Sequence, residues 1–201
     1  MWGVAQSGKD LVRVFCAIEL PAEARALAEA HMARLRAAAP DADARWERAE
    51  KLHLTLKFLG GIAPERVAAL MKATERAASC SQALTLRLEG SGAFPPRGLP
   101  RVLWLGVVDP TERLAELWQK LEEECAREGF ARETRAFHPH LTIARLRTPA
   151  GARQLAAAHS ATTFAPIDFP IAEIIVMRSD LGPTGSRYTP LSRHALKGSR
   201  P

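Results

Sequence analysis

Short runs in which apolar and polar residues alternate are separated, along this chain, by longer stretches with helical spacing. Residues 11–20 set Val12, Val14, Cys16 and Ile18 against Arg13, Phe15, Ala17 and Glu19, which predicts a half-buried strand with Phe15 on its less apolar side. Pro21, whose missing N–H costs little in a first turn, opens a helix over 22–39, and Pro40 closes it. His31 lies inside this helix as a structural histidine. A polar connector, 40–51, leads to a strand over 52–60, where successive side chains point to opposite faces. His53, Thr55 and Lys57 therefore share one face, and Leu52, Leu54, Leu56 and Phe58 the other. A helix over 64–78 with Val67, Leu70 and Met71 inward, a strand over 84–88, a Gly/Pro-rich loop over 90–100 and a strand over 102–108 follow.

From there the order repeats. The strand at 102–108, the opening Asp109-Pro110, a helix to about residue 128, a connector and a second His-x-Thr strand beginning at His140 reproduce the series that runs from Val12 to Leu56. Two copies are too few for a solenoid. They predict an α+β fold: two pseudo-symmetric lobes of antiparallel sheet flanked by helices, each giving one motif strand to a central cleft. A short helix over 151–158 puts His159 at the surface, and a strand covers 171–177. A flexible basic loop over 179–187, of the kind that closes over sites, precedes a last strand over 188–196 that contains a structural His194. Pro190 makes that strand an edge.

Bulk properties narrow the class. A chain of 201 residues, 47% hydrophobic, can bury a core of its own. Residues 1–10 read as a loose extension and 11–201 as a single bilobal domain. The formal charge of +6 favours an anionic partner, with Lys57, Arg145 and the loop at Arg187 as further phosphate contacts. Three scattered cysteines, Cys16, Cys80 and Cys125, predict no disulfide framework. No apolar run approaches the roughly 20 residues that span a bilayer, and no secretory signal opens the chain, so a soluble cytoplasmic protein is expected.

The candidate chemistry lies in His53-Leu54-Thr55 and His140-Leu141-Thr142. Imidazole titrates near neutral pH, so one histidine can remove a proton from a nucleophile while its partner protonates a leaving oxygen. Threonine hydroxyls can donate to phosphoryl oxygens without adding a charge. A zinc clasp at His138-Pro139-His140 is the main competitor, but no third ligand is paired with it in sequence, and a metal leaves the duplicated threonines unexplained. No cysteine lies near either motif.

His53-Leu54-Thr55-Leu56 with Phe58-Leu59-Gly60, and Phe137-His138-Pro139-His140-Leu141-Thr142, resemble the two signatures of the 2H phosphoesterase superfamily. The similarity runs from Phe15 to Leu191 and is greatest to the bacterial and archaeal RNA 2′,3′-cyclic phosphodiesterases, once described as 2′-5′ RNA ligases. It implies hydrolysis of RNA or nucleotide 2′,3′-cyclic phosphate ends to 2′-phosphomonoesters, with no metal or other cofactor and no obligate protein partner. His53 matches the proton donor, His140 the proton acceptor, and Thr55 and Thr142 the phosphate-holding threonines. Phe15 and Arg145 match substrate-side positions, although strand parity sets Arg145 on the face opposite His140. An RNA-end-binding protein without catalysis and a 2′-5′ RNA ligase are the alternatives.

Overall fold

A computed structural model describes residues 11–182 and 185–198. β1 (Val12–Glu19) is followed by α1 (Ala22–Ala38), which buries Ala24, Ala28, His31, Met32 and Leu35 at helical spacing. β2 (Ala44–Trp46), β3 (His53–Ile62), α2 (Val67–Ser79), β4 (Leu84–Phe94) and β5 (Val102–Val108) come next. After them run α3 (Arg113–Arg127), β6 (His140–Leu146), α4 (Ala152–Ala161), β7 (Ile167–Ile171), β8 (Glu173–Gly182) and β9 (Gly185–Ala195).

The named strands form two antiparallel sheets, ordered β3-β1-β8-β9 and β2-β6-β5-β4-β7. Apart from β2, added at an edge, the orders correspond: β3 lies beside β1 as β6 lies beside β5. The predicted α+β, two-lobe architecture is therefore the observed one. Val14, Cys16, Ile18, Leu54, Leu105, Leu141 and Ile143 belong to one buried core that both sheets share with the helices.

Several local expectations need correction. Residues 44–46 of the polar connector pair with β6 as an edge strand, because backbone groups beside an open sheet edge gain ladder bonds whatever their side chains. β4 runs on through 90–94, where a loop was expected, and pairs with β5. The apolar run 171–177 is divided between β7 and β8, in different sheets, and the basic loop expected over 179–187 is largely the arms of the β8–β9 hairpin. His159 is buried rather than superficial. The extension read at 1–10 lies outside the described residues.

His159 Nε2–H donates to the carbonyls of Gly92 and Trp104 at 3.2 and 3.0 Å. Its Nδ1 therefore accepts from His31 Nε2–H, 3.0 Å away, leaving His31 Nδ1 buried without a partner among the described residues. Burial, then the neighbouring His159 and Arg34, lowers the pKa of His31 from 6.5 to about 4, and burial also lowers that of His159. The unfolded chain thus takes up protons that the folded chain refuses. Stability is complete above about 6.5 and is lost as pH falls toward 4. Melting temperature should decline over that interval, and more shallowly in His31→Gln, which keeps a donor to His159. Parallel profiles would assign the acid sensitivity elsewhere.

Candidate active site

Each motif histidine opens its strand, and each is held the same way. His53 Nδ1–H donates to the Lys51 carbonyl at 2.7 Å, and His140 Nδ1–H to the His138 carbonyl at 2.6 Å. Tying Nδ1 to a carbonyl two residues back settles the tautomer of a neutral ring and leaves Nε2 free on both. Aromatic rings set the remaining degrees of freedom. His53 packs against Phe15 and Tyr188, with centroids 4.8 and 5.2 Å away. His140 packs against Phe94 and Trp104, at 5.2 and 6.4 Å. Gly92 makes room for this second support, since a Cβ there would lie 2.3 Å from the Trp104 ring.

Matching bulges then break the strand parity. Thr55 pairs with Ala17 but Lys57 with Cys16, so Leu56 is an extra residue; likewise Thr142 pairs with Trp104 but Ala144 with Leu103, so Ile143 is extra. Both bulges fall three residues after a motif histidine and turn the strand over. Leu56 and Lys57 point inward together, as do Ile143 and Ala144, while Phe58 and Arg145 emerge on the histidine side. Arg145 accordingly reaches the cleft that parity had denied it. Lys57 does not: it is 4% exposed, and its Nζ donates at 2.7 Å to both carboxylate oxygens of Glu122 and at 2.8 Å to the Ala131 carbonyl. Its expected phosphate contact is withdrawn.

His53, Thr55, His140, Thr142, Arg145 and Phe15 line one cleft of about 350 Å³ between the two sheets. Phe15 is 3% exposed and supports His53 rather than offering an open face. Ser179 and Ser186, from the segment expected to close over a site, also line it, and residues that sequence reasoning missed complete the walls: Arg13, Arg45, Glu47, Lys51, Phe58 and Tyr188. Lys51 Nζ donates to the Ser186 carbonyl at 2.7 Å, fastening the β8–β9 hairpin beside His53. Lys51 lies two residues before a motif histidine, which was a usable signal; Arg45 and Tyr188 reach the cleft only through tertiary pairing.

The profile of the 2′-5′ RNA ligase superfamily matches residues 23–183. The chain belongs to the 2′-5′ RNA ligase superfamily. Among its relatives, the RNA 2′,3′-cyclic phosphodiesterase of Escherichia coli K12 is 34% identical over 189 residues, covering 92% of this chain and 96% of that protein. That of Methanothermobacter thermautotrophicus is 30% identical over 181 residues, covering 89% and 95%. The chain spans 48% of the length of a Geobacillus stearothermophilus relative, also named RNA 2′,3′-cyclic phosphodiesterase, at 33% identity over 154 residues. The structure of Escherichia coli LigT complexed with 3′-AMP is 33% identical, with a TM-score of 0.71 over 93% of this chain and 99% of that one.

Within this superfamily member, Arg13, Arg45, Lys51 and Arg145 face the cleft and make no ion pair among the described residues, opposite the single carboxylate of Glu47. The net field suits an anion. Burial lowers the pKa of His53, opposed by its bond to the Lys51 carbonyl and by Glu47 and Glu19, while Arg145 lowers it further. Burial pushes the Cys16 thiol up to about 11 and Cys125 to about 12, so neither offers a thiolate. His138 precedes β6, and no group of three His, Cys, Asp or Glu side chains among the described residues could hold a metal ion. No helix among them is long and apolar enough to cross a membrane.

Proposed function

We propose that this chain hydrolyses RNA 2′,3′-cyclic phosphate ends to 2′-phosphomonoesters, with His140 as general base and His53 as general acid. The carrying observation is the duplicated arrangement of two imidazoles, each tied at Nδ1 and free at Nε2, beside two threonines in a cationic cleft. The names of the Escherichia coli and Methanothermobacter relatives support the same reading. Water attacks phosphorus as His140 Nε2 takes its proton. Thr55 and Thr142 donate to the non-bridging oxygens, where charge builds up. The P–O3′ bond breaks, His53 Nε2–H protonates O3′, and the phosphate remains on O2′. We place the enzyme in the cytoplasm with RNA ends as its substrate.

The test is an RNA ending in a 2′,3′-cyclic phosphate, with the phosphate mapped on the product. A 2′-phosphate formed at an undiminished rate in the presence of EDTA is expected. A 3′-phosphate would reverse the regiochemistry, chelator-sensitive turnover restored by zinc would replace the metal-free mechanism, and tight binding without turnover would leave an RNA-end binder.

The lowered pKa of His53 adds a pH signature. A general acid works protonated, so one ionisation in the kcat/KM profile, which reports the free enzyme, should lie below the ordinary imidazole value of 6.5. A bound phosphodiester anion favours the imidazolium, so the corresponding limb of kcat should lie at higher pH. Coincident limbs would argue against His53 as the acid.

A further inference from the structure

Resting on the hydrolase reading, we propose that Phe58 and Arg13 form a stacking platform for the nucleotide that precedes the cyclic phosphate, which makes single-stranded RNA, rather than a free cyclic nucleotide, the preferred substrate class. Phe58 is 52% exposed, and its neighbour across the β1–β3 ladder, Phe15, is covered by His53 and Tyr188. One exposed aromatic needs no explanation by itself. This one lies in the cleft wall, turned there by the bulge that sends Lys57 inward, and the guanidinium of Arg13 sits 4.7 Å from its ring centroid. Arg13 makes no ion pair among the described residues, so its charge is free to meet a phosphate.

Position selects the ligand. Five residues at about 3.3 Å each, less the bulge, set Phe58 roughly 13–16 Å from His53 along β3. That is beyond the ribose whose ring is opened and within the span of the nucleotide before it. The cyclic phosphate occupies O2′ and O3′ of the terminal ribose, so the rest of the strand leaves through O5′. An exposed aromatic ring with an arginine stacked over one face, that arginine making no ion pair among the described residues, is the chemistry that holds single-stranded nucleic acid without regard to sequence.

The experiment compares kcat/KM for an oligoribonucleotide ending in a 2′,3′-cyclic phosphate with that for a nucleoside 2′,3′-cyclic phosphate, in the wild type, Phe58→Ala and Phe58→Trp. The oligonucleotide-to-mononucleotide ratio should fall roughly 5- to 100-fold in Phe58→Ala and be retained in Phe58→Trp. An abasic penultimate residue should lower the wild-type ratio to a similar degree and add little to the Phe58→Ala lesion. A ratio unchanged by Phe58→Ala, or additive lesions, would overturn the platform. Anisotropy with a 2′-phosphate-ended oligonucleotide, intact or abasic at the penultimate position, reads the same coupling as affinity. It decides the platform even if the wild type turns over neither cyclic substrate, the outcome that would remove the hydrolase reading alone.

Discussion

Alanine at His53 or at His140 is expected to lower turnover of an RNA 2′,3′-cyclic phosphate by about 10²- to 10⁴-fold in each case. Water is a poor nucleophile at neutral pH and a ribose alkoxide a poor leaving group, so neither proton transfer can be spared. Because the two rings are held alike, at Nδ1 by a carbonyl and on their faces by aromatics, the static geometry is nearly symmetric and their roles must be separated kinetically. A nitrophenyl phosphodiester, whose leaving group needs no proton, makes the separation. On it His53→Ala should recover much of the lost rate, and His140→Ala should not. Rescue of His140→Ala in its place would exchange the two roles, and rescue of neither would reject a simple acid–base division.

The second large effect belongs to a side chain that touches no substrate. Lys57→Ala should destabilise the fold by about 3–5 kcal/mol, because it strands the buried Glu122 carboxylate. In a chain of this size that corresponds to a melting temperature roughly 6–20 °C lower. Kinetics should suffer as well. Lys57 donates to the Ala131 carbonyl and Glu122 accepts from the Glu133 amide, so the pair pins the connector that leads to His138, whose carbonyl orients His140. Phe137, stacked on Trp118 at 5.1 Å, is the connector's other anchor. The double change Lys57→Met with Glu122→Leu removes both charges and should restore the melting temperature, yet keep kcat low with KM little altered. Full recovery of kcat would reduce the pair to a purely structural role.

The two bulges mark where reading from sequence stops. Alternation of apolar residues identified β1, β3, β5 and β6, because a half-buried strand needs a period of two whatever it packs against. The helices were legible for the same kind of reason, with Pro21 and Pro110 at their approaches. The repeat, and with it the expectation of paired lobes and of His53, Thr55, His140 and Thr142 in one cleft, followed from order and spacing alone. A bulge, by contrast, is a mismatch between two strands, and nothing in the bulged strand need record it. Parity therefore misplaced Lys57, Phe58 and Arg145 together, all of them beyond Leu56 or Ile143. The only hint was Glu122, a carboxylate in the apolar stripe of α3 formed by Leu114, Leu117, Leu121 and Cys125, which required a buried cation from elsewhere.

Local sequence thus determined the strands, the helices and the pair of imidazoles, since each depends on periodicity or on residues within a few positions. Only the tertiary structure decided which basic groups face the cleft, which histidines are sealed inside and which aromatic stays open. Those outcomes depend on what lies across a ladder or beneath a helix: Cys16 and Ala17 opposite β3, the Gly92 and Trp104 carbonyls beneath His159, and Tyr188 brought by the β8–β9 hairpin over Phe15. Such partners are distant in sequence, and burial penalises every pairing except the one that satisfies the buried charge and hydrogen bonds.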